Sequence, residues 1–118
     1  MEHISQEGLK CEIKAKIYRS NSGFGPGIAD IMELVKQTEN LSKAYRTMGL
    51  SSSKGWKIIK RAEEDLGFPL IISIVGGSGG GKSVLSKEGE IFLQRYQDFM
   101  KELDIEVERL FKKYFYDY

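Results

Sequence analysis

Gly76-Gly77-Ser78-Gly79-Gly80-Gly81-Lys82-Ser83 follows an apolar run at residues 70–75 and admits two incompatible folds. Read as G-x-x-x-x-G-K-S, it satisfies the phosphate-binding P-loop pattern, in which backbone N–H groups cradle phosphates and Lys82 reaches the terminal ones. Read as the link between extended runs at residues 70–75 and 83–85, the same glycines form the tip of a β-hairpin that carries one cation outward. The first reading makes a nucleotide-binding protein and the second makes a wing. The flanking sequence has to separate them.

A P-loop needs a strand, the loop, a helix that opens at the lysine, and a further strand ending in an aspartate for magnesium. Residues 83–118 supply no such strand. After the short run at residues 83–85 they read as one helix, capped by Ser86 and with Glu88 near its positive end. Phe92, Tyr96, Phe99, Leu103, Val107, Leu110 and Tyr114 recur in it at spacings of three and four, and Ile91, Met100 and Phe111 widen the stripe. Such a helix is longer than the core of one small domain requires, so its surplus face is expected to pack on the same helix of a second subunit. The alternative is a bent or broken helix folded back on its own domain.

Upstream of the glycines, Leu9, Cys11, Ile13, Ala15 and Ile17 alternate with polar residues at the period of a half-buried strand, which places Cys11 on the apolar side. Pro26 opens a first helix over about residues 26–38, with Ile28, Ile31, Met32 and Val35 as its apolar stripe. Asn40 caps a short second helix from Leu41 to about Met48, in which Ala44 is small enough for close helix approach. Ser51 caps a third, which runs to about Leu66 and is stopped by Gly67 and Pro69. Two helices joined by Met48-Gly49-Leu50-Ser51 meet the requirement for a helix-turn-helix. In the third helix Ile58, Ile59, Ala62 and Leu66 point inward, and the spacing of Trp56 from Ile59 favours packing the indole with them over an exposed, base-stacking position.

With 118 residues, 41% of them hydrophobic and 30% charged, the chain is the size of one soluble domain. It has no membrane-length apolar run and no signal-peptide pattern at its N-terminus, so a cytoplasmic location is expected. Cys11 is the only cysteine and His3 the only histidine, which excludes an internal disulfide and the usual zinc sets. A His-centred triad would have to draw on His3 in a terminal stretch. We expect no enzyme activity and no cofactor. The net charge of +1 hides a segregation: residues 41–61 hold six bases and no acid, whereas residues 88–118 hold eight acids and five bases. A basic patch on a balanced protein is the footprint of a polyanion contact.

Residues 59–71, Ile-Lys-Arg-Ala-Glu-Glu-Asp-Leu-Gly-Phe-Pro-Leu-Ile, resemble the end of the recognition helix and the approach to the wing in LysR-type winged helix-turn-helix domains. The chain is more closely similar to the N-terminal DNA-binding domain of ModE-type molybdate-responsive transcription regulators. Gly76, Gly77, Gly79, Gly80 and Gly81, then Leu85-Ser86, then Gly89 match that family's glycine-rich wing and the start of its next helix. Trp56 matches the tryptophan of its recognition helix, and Phe24-Gly25-Pro26-Gly27 matches its lead into the first helix. The resemblance spans about residues 9–95. Ser52 and Ser53 stand where the family usually has tyrosine and lysine, so its base preference does not carry over. The chain also stops where those regulators continue into a molybdate-binding domain, so no molybdate site is implied within it.

The expected fold is therefore mainly α with a small β-hairpin (α+β), in one domain. Its parts are a strand at about residues 9–19, a helix-turn-helix at 26–67, a wing at 69–86 and a long dimerisation helix at 86–115. The expected function is sequence-specific binding of double-stranded DNA by a homodimeric transcription regulator. Ser52, Ser53, Lys54 and Lys57 would face the major groove, and Ser51, with Ser52 and Ser53, sits in the first turn, where free N–H groups favour a DNA phosphate. Lys43, Lys60 and Arg61 would hold phosphates, with Gly79, Gly80 and Lys82 contributing from the wing. The alternatives from other classes are a P-loop protein using residues 76–83 and a winged-helix module that binds protein rather than DNA.

Overall fold

The computed structural model describes residues 8–20, 22–76 and 80–116. Four helices and one hairpin follow in the order α1 (Pro26–Thr38), α2 (Leu41–Thr47), α3 (Ser52–Leu66), β1 (Ile71–Ile74), β2 (Lys82–Leu85) and α4 (Lys87–Phe115). The strands pair antiparallel with Ile71 opposite Leu85 and Ile74 opposite Lys82. The architecture is mostly helical with one small hairpin, an α+β arrangement. Among the described residues no helix is long and apolar enough to cross a membrane.

The helix ends fall where the local chemistry puts them. Pro26 occupies the first turn of α1, where a missing N–H costs nothing. The side chains of Asn40, Ser51 and Ser86 accept hydrogen bonds from the backbone N–H groups of Lys43, Lys54 and Gly89, so each cap satisfies one otherwise unpaired donor. Gly67 closes α3 in the left-handed conformation, φ 91°.

The core lies between α1, α2, the inner face of α3, the hairpin base and the first three turns of α4. Ile31, Met32 and Val35 meet Ala44, Ile59, Ala62, Leu70 and Leu93 there. Phe24 is fully buried, with the Phe92 and Tyr96 rings edge-on at centroid distances of 4.8 and 5.0 Å.

Two expectations fail. Residues 9–16 form no strand: the segment has no ladder partner, and only Ile17 bridges to Phe24. It runs along α4 instead, where the Tyr96 hydroxyl donates to the Ala15 carbonyl at 2.8 Å and the Tyr116 hydroxyl to that of Leu9 at 3.2 Å. Alternation signals a half-buried surface only if a sheet is there to receive it. Here Leu9, Ile13 and Ile17 remain largely exposed, and Cys11 is exposed rather than buried. Trp56 is the second failure. Its indole is 56% exposed, because the inward position beside it belongs to Gly55, whose bare backbone lies on the Tyr45 ring.

That contact has consequences for stability. A Cβ on residue 55 would overlap the Tyr45 ring. Overpacking costs about 1–3 kcal/mol, against a gain of about 1 kcal/mol in helix propensity for alanine over glycine. Gly55→Ala is therefore expected to destabilise by about 1 kcal/mol in urea denaturation, the midpoint of that difference. The Tyr45 hydroxyl is buried without a hydrogen-bond partner among the described residues, so Tyr45→Phe should be neutral or stabilise by about 1 kcal/mol. Desolvation, and then the Glu63 charge, raises the Tyr45 phenol above its ordinary value of 10.0. As pH rises the unfolded chain ionises first, so stability is full below pH 10 and falls as the pH climbs through the folded value. Tyr45→Phe should remove that alkaline loss at this position.

Candidate nucleic-acid interface

α3 turns a buried stripe, Gly55, Ile59, Ala62 and Leu66, toward α1 and α2. Spacings of four, three and four keep these residues on one face, which leaves the opposite arc to solvent. Ser53 and Lys57 lie along its middle, Lys54 and Arg61 on one flank, and Trp56 and Lys60 on the other. The Lys60 ammonium sits 5.9 Å from the centre of the Trp56 ring, within reach of a cation–π contact. Lys43 and Arg46 are exposed on α2, just before the turn that leads into α3. The structure thus collects Lys43, Lys54, Lys57, Lys60 and Arg61 on the surface of two successive helices.

Acidic residues limit this surface at one end. Glu63 lies below Lys60, 3.6 Å from its ammonium, and is held in place because its other oxygen accepts the backbone N–H groups of Leu70 and Ile71 at 2.7 and 3.2 Å. Asp65 accepts the backbone N–H groups of Arg19 and Ser20 at 2.7 and 2.8 Å. Positive charge is consequently concentrated toward the N-terminal end of α3, where the helix dipole and the first-turn N–H groups have the same sign.

The hairpin stands beside the corner between α1 and α2. Lys82, expected as an outward phosphate contact, instead donates to the Glu39 carboxylate at 3.2 Å. The Ser83 N–H donates to the Glu39 carbonyl at 3.0 Å. Between the corner and the hairpin lies a shallow concavity of ≈ 410 Å³ that takes in Asn40, Ser42, Ser73 and Lys82. Gly80 is exposed at the hairpin end, and Gly79 lies outside the described residues, as does His3. Lys82 and Ser83 belong to an antiparallel strand, whereas a P-loop lysine opens a helix, so the geometry that phosphate motif requires is not formed here.

Trp56 is the surface residue that sequence reasoning placed wrongly. The signal that could have found it is Gly55. A glycine inside a helix costs about 1 kcal/mol and implies close packing, and a stripe drawn through 55, 59, 62 and 66 turns position 56 outward. Because Trp56 is the only tryptophan, its environment can be read directly. Its emission should be that of a solvated indole and be readily quenched by iodide. A blue-shifted spectrum that resists quenching would place it back in the core.

No family model matches the chain. It is 25% identical over 87 residues to the molybdenum-pterin-binding protein MopB of Rhodobacter capsulatus, an alignment that covers 74% of this chain and 32% of that protein. The chain therefore spans about a third of the length of this curated relative and is distantly similar to a protein named for binding a molybdenum compound.

Proposed function

We propose that the chain is a sequence-specific DNA-binding transcription regulator of winged helix-turn-helix form, acting as a homodimer. The observation that carries this reading is the solvent face of α3, where Lys54, Lys57, Lys60 and Arg61 surround two serines and an exposed tryptophan. The α2–turn–α3 spacing supports insertion of α3 into the major groove, with its N-terminal residues at base edges. Ser51, Ser52, Ser53, Lys54 and Lys57 are then the groove-facing set, and Trp56 joins them. Lys43, Lys60 and Arg61 hold phosphates, and the β1–β2 hairpin serves as the wing, with Gly80 and Lys82 toward the backbone. In this reading the chain is not an enzyme and needs no cofactor. Similarity to a molybdenum-binding protein supports a molybdate-related regulatory setting, without assigning a molybdate site to these residues.

The dimer rests on α4. Only Gly89, Leu93 and Tyr96 are buried in a helix of 29 residues. Beyond Met100, Leu103, Val107, Leu110 and Tyr114 continue at spacings of four, three and four, the pattern of a two-helix seam. Leu110 and Tyr114 are exposed on it. A second copy of the helix supplies the complementary surface and the two-fold axis that a paired DNA site requires.

Binding should be measured against salt on sequences selected from random or genomic DNA. The selected site should be a palindrome, and log affinity should fall linearly with log salt. Lys54→Ala and Lys57→Ala should each weaken binding to the selected site, whereas Lys60→Ala and Arg61→Ala should each reduce the slope by about 0.9 per lost phosphate contact in each half-site. Unchanged affinity and slope in all four variants would remove α3 as the binding face. Leu110→Glu should shift the protein from dimer to monomer in sedimentation and weaken binding to the paired site by about tenfold or more, as the avidity of a second half-site is lost.

A further inference from the structure

Glu39 is the only non-glycine residue with positive φ among the described residues, at 55°. That conformation is disfavoured for a residue with a Cβ, and glycine or asparagine is the usual occupant of such a helix C-cap. The glutamate there makes three contacts. Its N–H closes α1 on the Val35 carbonyl at 2.8 Å, its carbonyl accepts the Ser83 N–H, and its carboxylate takes the Lys82 ammonium. Glycine would keep the first two and lose the third. The side chain is therefore tied to Lys82, at the loop end of the hairpin ladder, opposite Ile74.

Both partners are about half exposed, 50% for Lys82 and 49% for Glu39, so water and competing anions reach the pair. The pair borders the concavity between the α1–α2 corner and the hairpin, on the side where the N-terminal end of α2 and the hairpin converge. In the docking described above, a DNA phosphate passes there, because the helix before the recognition helix crosses the backbone.

We infer that the Glu39 carboxylate is a built-in stand-in for a DNA phosphate: it positions the wing in the free protein by holding Lys82, and releases that lysine to the DNA backbone on binding. The inference rests on the DNA-binding reading and assigns regulation within it. A protein whose wing lysine is already neutralised gains less from any random stretch of phosphates than one whose lysine is free. Release is worthwhile only when the major-groove contacts of α3 bring the backbone into place. Glu39 thus acts as a filter against non-specific DNA, and it remains near the phosphates after the exchange, where it repels them.

Glu39→Gln tests this, since glutamine keeps the shape and an acceptor for Lys82 but removes the charge. At low salt the variant should bind non-specific duplex about three- to tenfold more tightly than the wild type, with a salt slope steeper by up to about one unit, and gain less on the selected site. The gain should depend on Lys82 and largely vanish when Lys82→Ala is the background. Hydrogen exchange at the Ser83 amide should be unchanged in the variant, because the backbone bond to Glu39 is retained. An equal gain in both backgrounds would reduce Glu39 to a simple repulsive charge and overturn the exchange. An unchanged affinity and slope for Glu39→Gln, alongside weakened binding by Lys54→Ala, would overturn the inference and leave the DNA-binding reading standing. If the wild-type protein retains no DNA at all, both fall together.

Discussion

The Leu70 peptide is the point through which the parts of this chain hold one another. Its N–H donates to the Glu63 carboxylate of α3, and its carbonyl accepts the Ser86 N–H that leads into α4, at 2.7 and 2.9 Å. Its side chain is fully buried in the core. The Ser86 hydroxyl bonds back to the neighbouring Pro69 carbonyl while capping α4 at Gly89. Gly89 must be glycine for this to close, since a Cβ there would overlap the Leu70 carbonyl oxygen. One residue thus fixes the end of α3, both ends of the hairpin and the start of α4. A part-buried charge-assisted bond such as that of Glu63 is worth more than a neutral one, and losing its partner costs more still. The hairpin, which has only two short strands and little core of its own, takes its orientation from this junction and from Glu39 at its other side.

Much of this architecture was legible because it is written in local chemistry. Asn40, Ser51 and Ser86 cap the helices whose starts they predict, and Gly67 and Pro69 end α3 as their backbone restrictions require. The apolar stripe of α1 is buried residue for residue. What could not be read depended on distant partners. The alternation of residues 9–17 carries the period of a strand, but nothing local states whether a neighbouring strand exists, and the segment lies along α4 instead. Trp56 was misplaced for a related reason. A large aromatic near an inward stripe is usually core, and only the fit between Gly55 and the Tyr45 ring, between two different helices, shows that the inward space is already filled. The pairing of Lys82 with Glu39 spans 43 residues and has no signature in either neighbourhood.

The electrostatics show why a count of basic residues overstates a binding face. The chain carries 18 Lys and Arg against 17 Asp and Glu, and its acids are placed to edit the basic surface as well as to balance it. Lys60 is shared between Glu63 and the Trp56 ring, and Lys82 is held by Glu39. These exposed pairs are individually weak, about 0–1 kcal/mol, and are weakened further by salt. They therefore leave the fold almost unaffected while reducing the attraction of the surface for an arbitrary polyanion. Lys54 and Lys57 stand at the N-terminal end of α3, and their neighbours there are serines rather than acids. In the proposed DNA complex that division places the unedited charge at the base edges and the edited charge at the periphery.

The remaining structural question is why α4 continues so far past the body that it helps to build. A rise of about 1.5 Å per residue makes its 29 residues about 43 Å long, against transverse dimensions of 26 and 22 Å for the whole chain. The core makes use of its first three turns, through Leu93 and Tyr96. Past Met100 the helix has the 8–16 segment for company, yet Ile105, Leu110 and Tyr114 stay exposed while the acids of residues 102–108 keep the surrounding face in water. An isolated helix of this composition gains little from propensity alone, so its stability at full length has to come from packing. In the proposed homodimer a partner helix on the Leu103–Val107–Leu110–Tyr114 seam provides that packing and, because α4 is joined to α3 through the Leu70 peptide, also sets the separation and angle of the two α3 helices. In that arrangement the junction at Leu70 does more than close a small core, since any slack in it would be amplified along α4 into an error in the spacing of the two reading heads.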